Sequence, residues 1–303
     1  MISVIIPVYN EEESLEELHE RLSGVIKDGE FIFVDDGSTD QTPEILKKLK
    51  EKDPRVKVFT FTRNFGQTQA LMCGFEHAKG DIIVTLDADL QNPPEEIPKL
   101  VEKLNEGYDV VSGWRKNRKD GFLRTLASEI ANRIISKISG IPLHDFGCTL
   151  KAYRKEIVKS LKLYGEMHRF TPVVAGWMGA RIAEVEVGHE KRKYGVSKYG
   201  LSRIWKVLLD LFVLAYFNSP RRTPIHIFGT WGILSIVGSL ISGIATLWMK
   251  IGKGIDMTGN PLLYLTILLA VLGVQFIGTG LLGELMVRTY YESTGKKTYR
   301  LKE

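Results

Sequence analysis

Cysteine is scarce in this sequence. Cys73 and Cys148 are the two cysteines among 303 residues, and they lie far apart with no neighbour at metal-ligand spacing. A disulfide framework needs several cysteines, and a zinc site usually needs closely spaced pairs. We therefore predict that both thiols are reduced core residues and that the fold has no disulfide framework.

The sequence also lacks a basic helix with interleaved aromatic residues, although the formal net charge is +5 and the pI is about 9.0. Nucleic acid is therefore not an expected partner. The excess of positive charge suits anionic ligands or an anionic membrane surface.

No Gly-x-Gly-x-x-Gly turn follows the first predicted strand, Ile2–Val8; the next residues are Tyr9-Asn10-Glu11-Glu12-Glu13. Because three acids would repel a pyrophosphate, a dinucleotide-binding fold and a sugar nucleotidyltransferase are excluded. The segment suits a base and ribose, and the alternative is a capped helix start, since acids favour a helix amino terminus. No basic n-region or cleavage site is present, so we expect no secretory signal and a cytosolic catalytic part.

Charged residues are missing from two long stretches near the carboxyl terminus. Residues 225–249 and 261–283 contain no Asp, Glu, Lys or Arg. Each exceeds the roughly 20 residues that span a bilayer, so we predict transmembrane helices at about 225–249 and 261–286. Lys and Arg are denser outside this pair than in the connecting loop, which holds Lys250 and Lys253. The two spans predict an integral membrane protein, and the positive-inside rule predicts that both of its termini lie in the cytosol.

Helix 201–217 has an apolar side and a polar side that carries Arg203 and Lys206. This is typical of an amphipathic helix lying on a membrane, and a buried core helix is the alternative. The tail is polar, and we predict that it extends a sheet or contacts another subunit of a homo-oligomer. The predicted regions are a cytosolic catalytic domain at 1–200, an interfacial helix at 201–222, a transmembrane domain at 223–288 and a cytosolic tail at 289–303.

Strands and helices alternate through the amino-terminal part. This order predicts an α/β fold with a mostly parallel, Rossmann-like sheet covered by helices on both faces. Ligands in such sheets bind outside the carboxyl ends of the strands, where Asn10, Asp36 and Asp89 lie. The predicted strands are 2–8, 31–35, 56–61, 81–86, 108–112, 145–154 and 181–189, and the predicted helices are 42–52, 67–78, 95–105 and 121–138.

Asp87 and Asp89 end the hydrophobic strand at 81–86. Side chains at i and i+2 leave a strand on the same face, so both carboxylates can address one ligand. Two hard oxygen ligands suit Mg²⁺ or Mn²⁺ with a diphosphate. The alternative is that these acids solubilise the strand end and lead into the helix that begins near Asn92.

Four motifs follow one another along the chain: Ile5-Ile6-Pro7-Val8-Tyr9-Asn10-Glu11, Asp35-Asp36-Gly37-Ser38-Thr39-Asp40, Arg63-Asn64-Phe65-Gly66 and Asp87-Ala88-Asp89-Leu90-Gln91. In this order they resemble the motifs of family 2 glycosyltransferases, which have the GT-A fold. Within that family the chain is similar to polyprenyl-phosphate glycosyltransferases, which include dolichol-phosphate mannose synthase and bactoprenol glucosyltransferases. The resemblance extends over the membrane segments.

The resemblance implies roles for the residues at the strand ends. One group would hold the nucleoside, with Asn10 and Asp87 as further donor-binding residues, and a second group would hold the metal and diphosphate. In the family, an aspartate at about the position of Asp145 faces the donor sugar. The residues that follow here, Phe-Gly-Cys-Thr-Leu-Lys, differ from the pattern usual in mannose synthases. The nucleoside group is Pro7, Tyr9, Glu11 and Asp36, and the metal group is Asp87, Asp89 and Gln91.

The acceptor phosphate has its own implied residues. Helix 121–138 has apolar residues at spacings of three and four, which on their own predict an ordinary amphipathic helix packed on protein or lipid. By resemblance, Arg115, Arg124 and Ser128 bind the acceptor phosphate. The segment Arg-x-x-Gly-x-Ser-Lys resembles a signature of the family, and the resemblance implies that Arg192 and Lys198 contact a phosphate as well; a solvated charged loop is the alternative.

The sequence thus predicts an inverting, metal-dependent enzyme that transfers one hexose from a nucleotide diphosphate sugar to a polyprenyl phosphate, dolichyl or undecaprenyl, at the cytosolic membrane face. A UDP-hexose is favoured over GDP-mannose. One alternative is a processive polysaccharide synthase, but it usually carries Gln-x-x-Arg-Trp and more spans. The other is a non-catalytic nucleotide-sugar-binding membrane scaffold, which would have no reason to keep the site residues together.

Overall fold

The computed structural model describes residues 1–116, 122–161, 163, 167–190, 193 and 224–294 of the chain. The chain divides into two compact units, Met1–Tyr216 and Phe217–Glu303. The described part of the first unit contains a sheet with flanking helices, and that of the second contains two long helices.

The described part of the first unit contains seven strands: β1 (Ile2–Val8), β2 (Gly29–Asp35), β3 (Val56–Thr60), β4 (Ile82–Thr85), β5 (Val110–Trp114), β6 (Lys151–Arg154) and β7 (Ile182–Glu186). They form one sheet in the order β3-β2-β1-β4-β6-β5-β7. Neighbouring strands are parallel except that β6 is antiparallel to both β4 and β5. The prediction of a mostly parallel α/β sheet is confirmed.

Helices cover this sheet on both faces. Two short 3₁₀ turns, Pro94–Glu96 and Met167–Phe170, precede the fourth and seventh helices. The helices are α1 (Leu15–Val25), α2 (Thr42–Lys52), α3 (Gln67–His77), α4 (Ile97–Asn105), α5 (Phe122–Ser139), α6 (Lys155–Ser160) and α7 (Thr171–Trp177).

Alternate residues of the central strands feed two separate hydrophobic layers. Along β1, Val4 and Ile6 pack in the layer that includes α1, α2 and α4, whereas Ile5 packs in the layer that includes α3, α6 and α7. Because both faces of these strands are buried, their sequences are nearly continuous apolar runs, as expected for a parallel sheet between helices. Cys148 is buried in the core and Cys73 is partly buried, and both are free thiols as predicted.

The backbone turns sharply where β1 and β4 end. Asn10 has φ of 50° and Leu90 has φ of 60°, and these are the non-glycine residues with positive φ in the described part of the chain. Such conformations cost energy for residues with a side chain and concentrate at functional sites. Both residues lie in the turns that follow β1 and β4, which makes the carboxyl edge of the sheet the candidate functional site.

The predicted strand at 145–154 is wrong in its first half. Residues 145–150 form a loop, and β6 begins at Lys151. The reason is local, because the Asp145 side chain accepts the Gly147 backbone N–H at 3.1 Å and so closes a turn. The fifth strand runs from Val110 to Trp114, two residues later than predicted, and the side chain of Asp109 just before it accepts the Arg181 backbone N–H at 2.7 Å.

The remaining boundaries differ by a few residues at element ends. Pro94–Glu96 forms a 3₁₀ turn, so the helix predicted at 95–105 becomes regular at Ile97. Asn92 does not cap it, because its side-chain amide donates to the Thr149 hydroxyl at 3.1 Å.

The second unit contains α8 (Pro224–Lys253) and α9 (Pro261–Thr294), and both are long and apolar enough to cross a membrane. They pack against each other through small residues. A Cβ on Gly232 would lie 2.9 Å from the carbonyl oxygen of Gly273, and Ser239 donates to the Thr266 carbonyl at 2.8 Å. Close contact and hydroxyl bonds of this kind are common where helices pair in lipid. Since α9 continues to Thr294, the first part of the predicted tail is helical.

Candidate active site

Asp87 and Asp89 follow β4 at the carboxyl edge, as predicted. Asp89 is buried, and the Asp87 carboxylate accepts a hydrogen bond of 2.7 Å from the Gln67 side-chain amide at the start of α3. Asp87 keeps some exposed surface, but protein atoms enclose its carboxyl group. That enclosure and the neighbouring charge of Asp89 raise the pKa of Asp87 to about 7, against the opposing effect of Arg115 and Lys151.

A divalent cation fits this pair of carboxylates. The repulsion that raises the Asp87 pKa would be relieved by a positive charge between Asp87 and Asp89. The described residues contain no cluster of three His, Cys, Asp or Glu side chains that could hold a metal ion. Mg²⁺ is commonly bound by one or two carboxylates together with substrate phosphates and water, so two acids suffice.

Arg115 directly follows β5, which is separated from β4 in the sheet by β6, and its side chain is paired. Its Nε donates to Asp145 Oδ2 at 2.7 Å and its Nη2 donates to Asp145 Oδ1 at 3.1 Å. The side chains are 10% and 3% exposed. The guanidinium predicted to bind the acceptor phosphate therefore stands in the site with a carboxylate partner already in place.

Lys151 contributes a second buried cation that the sequence analysis did not select. Its ammonium group donates to the Phe146 carbonyl oxygen at 3.3 Å, beneath the loop that carries Asp145. Burial lowers the pKa of Lys151 to about 8, although Cys148, Asp145 and Asp87 act in the opposite direction. The edge of the sheet thus brings together two cations and three carboxylates.

Asp36 anchors the loop that leads to α3. Its carboxylate accepts the backbone N–H groups of Phe65 at 2.7 Å and Gly66 at 2.9 Å, and burial raises its pKa. Gly37 makes this contact possible, because a Cβ there would lie 2.5 Å from the Arg63 carbonyl carbon and φ is 72°. The motifs at 35–40 and 63–66 are therefore one structural piece.

Hydrogen bonds also join the residues that follow β1 to those that follow β2. The Asn10 backbone N–H donates to the Ser38 hydroxyl at 2.9 Å, and the Asn10 side chain accepts the Thr39 backbone N–H at 2.8 Å. Glu11 donates its backbone N–H to the Thr42 hydroxyl at 3.0 Å. Five predicted nucleoside and donor residues consequently lie at the ends of these two adjacent strands: Pro7, Tyr9, Asn10, Glu11 and Asp36.

A model of glycosyl transferase family 2 matches residues 3–162, which include all of this edge up to Asp145. The chain belongs to glycosyl transferase family 2. It is therefore an enzyme, and the predicted family is confirmed.

Two similar proteins agree with this assignment over nearly the whole chain. Dodecaprenyl-phosphate galacturonate synthase of Rhizobium johnstonii is 41% identical over 315 residues, covering 100% of this chain and 92% of the relative. Undecaprenyl-phosphate 4-deoxy-4-formamido-L-arabinose transferase of Aeromonas hydrophila is 40% identical over 311 residues, covering 99% of this chain and 92% of the relative.

Solved structures also share this fold. Glucosyl-3-phosphoglycerate synthase of Mycobacterium tuberculosis, in complex with Mn²⁺, UDP and glucosyl-3-phosphoglycerate, aligns with a TM-score of 0.57 at 21% identity. The alignment covers 72% of this chain and 79% of the other. At this identity the likeness establishes the fold alone.

In this family 2 enzyme, the predicted acceptor residues are only partly within the described chain. Arg115 lies in the site, and Ser128 is half-buried on α5. Arg124 occupies the same helix one turn earlier, and its side chain lies outside the described residues. Arg192 and Lys198 lie outside them as well, as does the predicted interfacial helix at 201–222.

Several site residues were missed because nothing in their local sequence marks them. Gln67 and Thr149 both hydrogen-bond to the predicted Asp87 carboxylate, although they come from two segments distant from it in the chain. His168, which is buried, has its ring Nδ1 at 3.0 Å from the Thr68 hydroxyl. Only the departure at Phe-Gly-Cys-Thr-Leu-Lys pointed towards Lys151.

Proposed function

We propose that this enzyme transfers a single sugar from a nucleotide diphosphate sugar to a polyprenyl phosphate, with inversion, at the cytosolic face of a membrane. The observation that carries the proposal is the carboxyl edge of the sheet, where Asp87 and Asp89 lie beside Arg115. The names of both relatives specify a dodecaprenyl or undecaprenyl phosphate acceptor. The two helices of membrane-spanning length explain how such an acceptor and the enzyme would meet.

The donor would lie across the ends of β1, β2 and β4. Tyr9 and the Asp36 loop would contact the base and ribose, and Asp87, Asp89 and Gln91 would hold Mg²⁺ or Mn²⁺ at the diphosphate. The bound cation would offset negative charge on the leaving diphosphate. The fold-level neighbours with Mn²⁺ and UDP support such a site.

The acceptor needs orientation more than deprotonation. A phosphate monoester has a second pKa near about 6, so it is already largely a dianion at neutral pH. Its oxygen can therefore attack the anomeric carbon from the face opposite the departing diphosphate without a strong base. Arg115, with Arg124, Ser128, Arg192 and Lys198, would hold this anion in line with the donor.

The donor sugar is the finer part of the proposal. A UDP-hexose remains favoured over GDP-mannose. The relatives are named for galacturonate and for a 4-formamido-arabinose, so a sugar carrying an acidic or amide group is the second candidate.

The test supplies purified enzyme with Mg²⁺, undecaprenyl phosphate and one radiolabelled donor at a time: UDP-glucose, UDP-galactose, UDP-GlcNAc, UDP-galacturonate or GDP-mannose. Label from one donor should move into an organic-soluble, mild-acid-labile lipid, and mass spectrometry should show one added sugar. A ladder of longer glycans would instead support a processive synthase. Nucleotide-sugar binding without transfer to any acceptor would support a non-catalytic scaffold.

A further inference from the structure

Asp145 sits on a loop that has no regular structure of its own. The loop connects α5 to β6, and Asp145 is 2% exposed within it. Its carboxylate is the partner of Arg115, so the position of this loop decides where the Arg115 guanidinium points. This loop lies outside the hydrogen-bond ladder of the sheet, so bonds from other elements must hold the buried charge in position.

Glu184, in the middle of β7, is the anchor of this loop. Its Oε1 accepts the backbone N–H groups of His144 and Asp145, each at 3.0 Å. Its Oε2 accepts the His144 backbone N–H at 3.1 Å and lies 2.8 Å from the His144 ring Nδ1. The Glu184 side chain is 10% exposed, so these bonds form largely out of water. Charge-assisted bonds of this kind are about twice as strong as neutral ones.

The pairing of β7 with β5 fixes the position of Glu184 relative to Arg115. Glu184 lies opposite Ser112 of the parallel strand β5, and β5 ends two residues further on at Trp114, directly before Arg115. Asp145 is thus held from β7 while Arg115 is held from β5, and the two strands are hydrogen-bonded neighbours. The ion pair spans two elements whose relative position the sheet sets.

We propose that Glu184 is a positioning residue, which fixes Asp145 through the backbone of the loop and thereby orients Arg115 in the active site. In this proposal Glu184 acts through its bonds to the loop and not by contacting the substrates. The inference rests on the proposed function for its kinetic readout, and its structural readout is independent of that function.

The structural experiment compares Glu184→Gln with Glu186→Gln. Glu186 lies two residues along the same strand, is 55% exposed and pairs with Lys116 at the surface, so it is a matched control. A neutral amide cannot accept all the bonds of Glu184, so we expect faster hydrogen exchange at the His144 and Asp145 amides in Glu184→Gln and unchanged exchange in Glu186→Gln. Equal exchange at these amides in wild type and Glu184→Gln would overturn the anchor itself.

The kinetic experiment uses the donor and acceptor on which the wild type is active. Glu184→Gln should lower kcat about 10-fold to 100-fold, the range usual for groups that orient a site residue, with little change in the donor KM. In an Asp145→Asn background the same substitution should have almost no further effect, since both act through one ion pair. Full additivity, or a normal kcat in a folded Glu184→Gln enzyme, would overturn the positioning role. Wild-type inactivity on every acceptor would count against the proposed function and leave the exchange result standing.

Discussion

Arg115 and Asp145 form a two-pronged ion pair, with N–O distances of 2.7 and 3.1 Å, although they lie 30 residues apart in the chain. Each is almost completely buried, so neither charge is balanced by water. Removal of one partner therefore leaves the other charge buried without a counter-charge, whereas replacement of both partners by apolar residues does not. This asymmetry separates what the pair does for stability from what it does for catalysis.

The first prediction uses that asymmetry. Asp145→Ala should lower the free energy of unfolding by about 3–5 kcal/mol, because it leaves a buried cation unpaired. The double variant Arg115→Met with Asp145→Leu should recover most of that stability and none of the transferase activity. Thermal unfolding in detergent and the transfer assay measure the two effects. If the double variant is as unstable as Asp145→Ala, the pair is not the source of the loss.

The second prediction concerns the metal. Asp89→Asn removes one charged oxygen ligand and should abolish turnover while the melting temperature stays within a few degrees of wild type. EDTA should have the same effect on the wild type, and added Mg²⁺ or Mn²⁺ should reverse it. Asp81→Asn is the control, since Asp81 is 80% exposed at the opposite end of β4. Activity that persists in both EDTA and Asp89→Asn would show that the carboxylates have another role.

The sequence supported the parts of the site that are local in the chain. The strand that ends in Asp87 and Asp89 could be identified because its apolar run, its spacing and its position after a helix all agree. The same is true of Asn10 and Asp36, which follow buried strands. Parallel strands bring such ends to one edge whatever their order in the sheet.

The missed residues depend on one strand that runs the other way. β6 enters the sheet antiparallel between β4 and β5, so Lys151 at its start lies beside the strand ends of its neighbours. Hydrophobic periodicity is the same for parallel and antiparallel strands and does not report this direction. Glu184 and Gln67 were missed for a related reason, since their bonds join segments that are distant in the chain.

The third prediction concerns pH and stability away from the site. Asp53 accepts hydrogen bonds from Arg55 at 2.8 Å and from His19 at 3.0 Å, and Arg55 holds the pKa of Asp53 well below its usual 3.8. Such a group stabilises the fold above its unfolded pKa, and the benefit fades as pH falls through the folded pKa. Asp53→Asn should therefore lower the free energy of unfolding by about 1.5–3 kcal/mol at pH 7. The gap in unfolding free energy between wild type and this variant should narrow below pH 3.8.

Thermal unfolding between pH 3 and pH 8 measures this gap. Asp28→Asn is the matched control, because Asp28 is 88% exposed and approaches only the amino terminus, at 3.8 Å, among the ion pairs of the described chain. A gap between wild type and Asp53→Asn that stays constant down to pH 3 would contradict the charge-based explanation.

The last prediction concerns the helical hairpin of α8 and α9, whose close crossing depends on two glycines. A Cβ on Gly273 would lie 2.6 Å from the Ile236 side chain and 3.0 Å from the Gly232 carbonyl oxygen, whereas a Cβ on Gly278 meets nothing within 4 Å. Gly273→Val should therefore destabilise the hairpin by about 1–3 kcal/mol, as overpacking generally does, and Gly278→Val on the same helix should not. Both substitutions change intrinsic helix propensity equally, so the difference between them in melting temperature and protease resistance isolates the effect of the helix crossing.

Adding Ile236→Ala to Gly273→Val should restore part of the lost stability, because it removes the side-chain contact and leaves the backbone contact. Equal behaviour of the two valine variants would mean that the helices do not meet at these glycines.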